Sequence, residues 1–468
     1  MYGQKRRILC LPLLTACLFA VQSGAQARDL SLADAVDMAL AANTGLRITR
    51  QGEHTADAAL KQARGRNGVS VSASDSVRWS KTNGETQQSS NGLNLSASLP
   101  LYTGGANQAS IQSGEIGAAA ARLTTERARE DLKYEVIAAY YNAVEALKKT
   151  EVQREAVGNY DAHLGNVTAL YEAGAQARID VLRSSVELSN ARQELISAEN
   201  AYEVNLATLR NLLNMDRGEE LRLTTDVSYV PFEKTVQDCI SYAYGNRRDL
   251  QVQKDTLAQR ELAVDIAKAG KKPTVNLTVG SGITTQFRPH NDTNRDVSAS
   301  VGVNWNIFDS GVTRAQIDAA EAERDTALLN VQQAEETIDL NLRKAYLNLR
   351  EAEKRFTATG DAVKQAEEDY FIASQRYRAG EGILLDVLDA QLALSKAKQN
   401  DINARYDYAR YRAQVENLMG EPLTAAERAA ADGLPEVTQA ERDSADAANL
   451  ATSAAVQMTV AKNEVPGK

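Results

Sequence analysis

The chain states one pattern twice. Tyr171-Glu172-Ala173-Gly174 is matched by Tyr377-Arg378-Ala379-Gly380, and Asp180-Val181-Leu182 by Asp386-Val387-Leu388. The same separation, 377 less 171 or 206 positions, relates Leu101-Tyr102-Thr103-Gly104-Gly105 to Ile307-Phe308-Asp309-Ser310-Gly311. It also relates Tyr140 to Tyr346, Asn142 to Asn348, and Asn211-Leu212 to Asn417-Leu418. An offset that holds without a gap over more than about a hundred residues marks two copies of one structural unit. Any fold open to this chain must hold that unit twice.

Within each unit the dominant element is a very long helix. Residues 312–379 contain no proline and, before the end, only Gly360 as a glycine. Leu328, Leu342, Leu349, Phe356, Val363, Tyr370 and Tyr377 recur at seven-residue spacing, broken only by Glu335. Val331, Ile338, Ala345, Ala352, Ala366 and Ala373 form a second row on the same face. Two such rows are the seam of a coiled coil, and a helix of this length spans on the order of 100 Å. Residues 104–171 repeat it. Each long helix ends in a bend and returns, over 177–214 in the first unit and 383–419 in the second.

The remainder of each unit is a shorter helical stretch followed by two alternating strands. The helices are expected over residues 30–62, with Ser31 as N-cap, and 235–268. The strands fall in hairpins at 69–101 and 275–307. In the first, Val69, Val71, Ala73, Val77 and Trp79 alternate with serines and Arg78, and Asp75 interrupts the apolar row. In the second, Val297, Ala299, Val301, Val303, Trp305 and Ile307 alternate with Ser, Gly and Asn. Period two with turn residues between the runs reads as strand, loop, strand. Residues 215–234 link the two units. The tail 421–468, rich in Ala, Glu and Asp without a stable period, reads as disordered.

The N-terminus carries an export signal. Lys5, Arg6 and Arg7 precede the apolar run Ile8 to Val21, and Ala25-Gln26-Ala27 offers a cleavage site that makes 1–27 a signal peptide. Leu14-Thr15-Ala16-Cys17 resembles a lipoprotein cleavage box, which would make Cys17 a lipidated residue instead. Either route takes the protein out of the cytoplasm. Cys239 is the one cysteine in the body of the chain, so it has no internal disulfide partner and is expected to be a small core residue.

Several function classes find no support. A net charge of −9 gives no basic surface for nucleic acid. His54, His163 and His290 have no metal-ligand spacing, and no glycine-rich phosphate loop is present, so no enzyme, metal or cofactor is indicated. No run of about 20 apolar residues follows the N-terminus, so no transmembrane helix is expected in the mature chain.

The strands direct the reading to a membrane wall. Alternating segments of about ten residues, apolar on one face and small-polar on the other, are the signature of a membrane barrel. Four strands cannot close one, because the smallest membrane barrels have about eight and open edges in lipid leave backbone groups unsatisfied. Two copies would give eight strands, three twelve and four sixteen, and spacing alone does not choose. A periplasmic coiled-coil adaptor or a purely structural coiled-coil protein are the alternatives. The first needs the strands in soluble domains, and the second leaves them without a role.

The order helix, two strands, long helix, return helix, given twice behind a signal peptide, resembles the TolC family of outer-membrane channels. The bends Tyr171-x-x-Gly174 and Tyr377-x-x-Gly380, with the Asp-Val-Leu that follows each, carry the likeness over residues 30–420. The resemblance implies a mainly α fold with a membrane β-barrel. It implies a homotrimer with a twelve-strand barrel in the outer membrane of a Gram-negative bacterium and a helical tunnel across the periplasm. It further implies a periplasmic adaptor and an inner-membrane transporter, of ABC or RND type, as partners in drug efflux or type I protein secretion.

By the same resemblance Asp386 and Asp389 would ring the periplasmic aperture. Their spacing of three puts both carboxylates on one helix face, although that spacing equally suits two solvated carboxylates near a helix N-terminus. Asp180 and Tyr377 correspond to members of the family's aperture latch, while one basic member of that latch falls on Gly382. The bends at Gly174, Ala175, Gly380 and Glu381 would be the adaptor-docking points.

Overall fold

A computed structural model of the chain describes residues 28–81, 88–216, 218–288, 291–436, 438, 440, 441 and 444. The expected signal peptide 1–27 with Cys17, residues 82–87 and 289–290 of the two hairpin loops (with Asn83-Gly84 and His290), residue 217 and most of the tail beyond residue 436 lie outside the described residues.

Each repeat opens with a three-residue strand or a linker and then runs through the same series. The first contains β1 (Arg28–Leu30), α1 (Leu32–Ala42), α2 (Thr44–Gly65), β2 (Ser70–Ser80), β3 (Gln88–Tyr102), α3 (Ala106–Glu172) and α4 (Arg178–Leu212). The second contains β4 (Leu221–Leu223), α5 (Val236–Asn246), α6 (Arg248–Ala269), β5 (Thr274–Arg288), β6 (Asp292–Asn304), α7 (Val312–Arg378) and α8 (Leu384–Met419). Helices α3 and α7 are each 67 residues long. Each pairs with its return helix and with the stacked shorter helices, as α3 with α4, α6 and α2, and α7 with α8 and α6.

Three differences from the sequence reading have local causes. The stretch 30–62 is two helices, broken at Asn43, whose extended backbone (φ −66°, ψ 125°) ends α1 and starts α2. Its Oδ1 accepts from the Leu46 N–H at 3.1 Å while its Nδ2 donates to the Leu212 carbonyl at 3.0 Å. The stretch 235–268 breaks in the same way at Arg247, which pairs with Asp249 and donates to the Leu418 carbonyl at 3.1 Å. The apolar stripe misses only one slot at each break, at Asn43 and at Arg247, and resumes at Leu46 and Leu250, so the lapse is too short to read as a helix end. The linker also holds a strand, since β4 pairs in parallel with β1, Arg28 to Leu221 through Leu30 to Leu223.

The tail is the clearest correction. Residues 421–436 are ordered, not disordered, and contain α9 (Ala425–Asp432). A capping box between Thr424 and Glu427 starts the helix. Leu423, Ala431 and Leu434 are buried with Val36, Ala39 and Leu40 of α1. Arg50 donates to the Leu434 carbonyl at 2.8 Å, and Lys133 pairs with Glu427 at 2.9 Å. Apolar burial supplies the stabilisation that charge-rich composition alone would deny.

The two largest buried clusters are centred one on each repeat, the first also taking in Tyr406 and the ordered start of the tail. In the first, Tyr140 is fully buried, donates to the Leu30 carbonyl and accepts from the Thr225 N–H, both at 2.9 Å, so its hydroxyl is satisfied. The second gathers Cys239, Ile240, Leu342, Leu349, Tyr408 and Met419. Burial pushes the Cys239 thiol up, away from reactive thiolate.

Candidate functional site

The four long strands form one antiparallel sheet in the order β2-β3-β5-β6, leaving β2 and β6 as open edges. Its register sorts the side chains onto two faces. On one, rungs run Ser70–Ser98–Thr278–Ser300 and Ser72–Ser96–Gly280–Ser298. On the other, they run Val71–Ala97–Val279–Ala299 and Ala73–Leu95–Ser281–Val297. The apolar face is bare: Val71, Val77, Trp79, Val297 and Val301 are all more than 60% exposed. The charges of the next rung on that face, Asp75 and Arg295, stand on the two edge strands. A sheet with a bare apolar face and two open edges is one segment of a lipid-facing wall.

The opposite end of the bundle carries the bends. Helix α3 ends at Ala173 with Gly174 left-handed (φ 76°), and α7 ends at Ala379 with Gly380 left-handed (φ 75°). The Ala175 N–H donates to the Leu170 carbonyl at 2.8 Å and the Gly174 N–H to the Tyr171 carbonyl at 2.9 Å. At the second bend the Glu381 N–H donates to Arg376 at 2.9 Å and the Gly380 N–H to Tyr377 at 3.1 Å. This is the Schellman closure, and glycine at its left-handed position avoids the Cβ penalty.

The second bend is anchored by a small core of Val167, Tyr377, Leu384 and Val387. Tyr377 is 2% exposed and its ring lies 5.2 Å from that of His163 on α3. Burial raises the Tyr377 phenol, and the Asp180 charge raises it further. Burial lowers the His163 imidazole, with a smaller push from Arg378. The Tyr377 hydroxyl and His163 Nε2 are both buried without a hydrogen-bond partner among the described residues. Asp180 and Tyr377 are thus neighbours electrostatically but not hydrogen-bonded to each other. A Cβ on Gly382 would lie 3.1 Å from the Tyr377 nitrogen, so the lack of a side chain there lets the chain pass close to the end of α7.

Asp386 lies in the first turn of α8 and Asp389 one turn later. Both are exposed, and neither makes a hydrogen bond or ion pair among the described residues. Gly174, Ala175, Gly380 and Glu381 are also exposed at the bends. Between the starts of α4 and α8 lies a mainly apolar groove of about 640 Å³, lined by Ile179, Leu182, Val186, Leu384, Leu385 and Leu388 together with the charged Arg183 and Glu187. No sequence signal singled out the groove or the pairing of His163 with Tyr377. Among the described residues no cluster of His, Cys, Asp or Glu could hold a metal, and no helix is long and apolar enough to cross a membrane.

Bare strand edges at one end and matched bends at the other are what two family-model matches cover. The outer membrane efflux protein model fits residues 33–215 and again 239–421, with the same offset as the internal repeat. The chain belongs to the outer membrane efflux protein family. It is similar to protein CyaE of Bordetella pertussis, 27% identical over 80% of each chain. It is also similar to outer membrane protein TolC of Escherichia coli, 23% identical over 64% of this chain and 63% of that one. Among solved structures, the Campylobacter jejuni CmeC outer membrane channel overlays with a TM-score of 0.75 at 20% identity, covering 86% of this chain and 90% of that one. The open-state Neisseria gonorrhoeae MtrE channel gives 0.70 at 19% identity, covering 83% and 88%. The fold is therefore that of the outer-membrane channels, mainly helical with strands for a membrane barrel. As a member of this efflux family the chain is an outer-membrane duct that reaches into the periplasm. The adaptor and structural coiled-coil alternatives do not survive this match.

Proposed function

We propose that this duct is the exit channel of a tripartite export system, and that its helical tip is both gate and docking end. In this reading three copies close a twelve-strand barrel and continue as a helical tunnel toward a periplasmic adaptor and an inner-membrane transporter of ABC or RND type. The cargo follows from that transporter, whether small molecules or a type I secretion substrate.

The observation that carries the gate is the unpaired, exposed state of Asp386 and Asp389 at the start of α8. Threefold repetition sets two rings of carboxylates around a narrow opening, which favours cations and traps polyvalent ones. Asp180 and Tyr377 serve as the latch around the same bends. Gly382 contributes no basic side chain to it, so burial of the Tyr377 ring against α3 carries more of the holding. The adaptor docks at the bends, Gly174 and Ala175 in the first and Gly380 and Glu381 in the second. The apolar groove between Ile179 and Leu388 supports this, since exposed contiguous apolar surface marks interaction sites.

Planar-bilayer recording tests the gate. The intact channel should be blocked by hexamminecobalt from the periplasmic side, and Asp386→Ala with Asp389→Ala should relieve that block. Unchanged block in the double variant would refute the assignment. Crosslinking from Ala175 or Glu381 should capture the adaptor, and repeated failure to do so would count against docking there.

A further inference from the structure

The turn between α6 and β5 places two cations where the sheet meets the helices. The Lys271 N–H donates to the Lys268 carbonyl at 3.2 Å and the Lys272 N–H to that of Ala269 at 2.9 Å, so the chain reverses tightly before Pro273. Left-handed Gly104 packs against this turn, where a Cβ would lie 3.1 Å from the Cβ of Lys272. From beyond the end of β6 the Trp305 indole N–H donates to the Lys271 carbonyl at 3.1 Å. Turn and ring are thereby fixed to one another.

Trp305 continues the bare apolar row of β6, formed by Val297, Ala299, Val301 and Val303, and is itself 57% exposed. Ten residues, 305 less 295, separate it from Arg295 at the other end of that row. At about 3.3 Å per residue and a strand tilt of about 40° they rise roughly 25 Å, the height of a barrel's apolar band. Trp305 therefore stands at the helix-side limit of the band, where tryptophan rings sit at headgroup level. Because the helices reach into the periplasm, that limit belongs to the phospholipid leaflet.

The charges at this level do not cancel. Lys268 is engaged by Glu321 at 3.8 Å. The Asp309 carboxylate is turned to the start of α7, accepting from the Gly311 N–H at 3.1 Å and the Thr313 N–H at 2.8 Å. Lys271 and Lys272 are exposed and make no ion pair among the described residues. The first repeat lacks the set, since the counterparts of Lys271, Lys272 and Trp305 are Gly65, Arg66 and Leu99, one cation and no indole.

We propose that Lys271, Lys272 and Trp305 form a headgroup site for an anionic phospholipid of the periplasmic leaflet, one site per copy. The two ammonium groups take the phosphate, because flexible lysine stems carry the charge to headgroup level while their methylenes stay on apolar surface. The indole sets the depth of the headgroup, and the acyl chains run along the row past Val303 and Val301. The inference rests on the outer-membrane placement and is independent of the gate and of docking.

Lipid retention by the full-length protein tests it. The protein is reconstituted in nanodiscs of equimolar phosphatidylglycerol and phosphatidylcholine, released in mild detergent, and its bound lipids are counted by native mass spectrometry. Phosphatidylglycerol should be retained several-fold over phosphatidylcholine. Lys271→Gln with Lys272→Gln should abolish that preference, while Lys271→Arg with Lys272→Arg should keep it and Arg66→Gln should leave it unchanged. Trp305→Phe, which keeps an aromatic ring but removes the N–H, should weaken it. Glycerol 3-phosphate in solution should compete poorly, and full displacement by it would mark a site for soluble phosphate esters and overturn the lipid assignment. Equal retention of the two lipids by the wild-type protein, or a preference that survives in the double glutamine variant, would overturn the site while leaving the channel intact. A wild-type protein that does not enter the bilayer would overturn the membrane placement, and the site with it.

Discussion

The two bends share a backbone and differ in chemistry. Both close with the same pair of hydrogen bonds around a left-handed glycine, Gly174 in one and Gly380 in the other. Their surroundings diverge: Tyr377 is 2% exposed and its counterpart Tyr171 is 42% exposed. The first bend leads to Asp180 and Arg183, the second to Asp386 and Asp389, so only the second presents an unbalanced acidic pair. Gln176 in the first stands where Gly382 lets the second pack tightly. The repeat gives the same backbone shape twice, and the side chains around it give the two bends different chemistry.

Removing the buried ring should separate the bends most. Tyr377→Ala is expected to cost about 3–5 kcal/mol of local stability, as truncation of a buried aromatic does. Tyr171→Ala in the same assay should cost less, unless the neighbouring copy covers it. Hydrogen exchange at the two bends reads both, and equal losses would erase the distinction drawn here. The acidic pair comes next. Hexamminecobalt affinity should fall on the order of tenfold or more in the double Asp386→Ala, Asp389→Ala variant, since losing about 1.4 kcal/mol of attraction removes a decade. Arg183→Asp, which gives the first bend the acidic spacing of the second, should strengthen the block or leave it unchanged, never weaken it.

Glycine substitution should not distinguish them. Gly174→Ala and Gly380→Ala each force a side chain into the left-handed region, at a cost of roughly 1–2 kcal/mol. A large inequality would show that the bends are not equivalent in backbone after all. The smallest expected effect is pH dependence. His163 is buried and its imidazole lies below the ordinary value of 6.5. As pH falls below 6.5 the unfolded segment takes up a proton that the packed second bend resists, so stability there declines; above 6.5 both forms are neutral and nothing is lost. Exchange protection at the second bend should therefore drop on acidification, and His163→Gln should remove that part of the slope.

Much of this was legible before any coordinates. The alternating strands and the seven-residue rows are periodic over long spans, and the repeat gives each element a second witness. What stayed hidden is short or non-periodic. The breaks at Asn43 and Arg247 interrupt the apolar spacing for a single slot, and three-residue strands such as Leu221–Leu223 leave no pattern to read. The ordered tail had a signal in Thr424-x-x-Glu427 ahead of apolar residues, which composition masked. At the tip, only the family resemblance named Asp180 and Tyr377 together, and neither it nor the seven-residue pattern pointed to His163, which meets Tyr377 across the two repeats.

Closure between copies is the claim on which the rest depends: four strands with two bare edges form a wall only when neighbours complete it. Electron microscopy of the detergent-solubilised full chain tests this most directly. The expected result is three copies around one pore, with β6 of each beside β2 of the next. A single copy whose strands fold into a closed, water-exposed domain would contradict it.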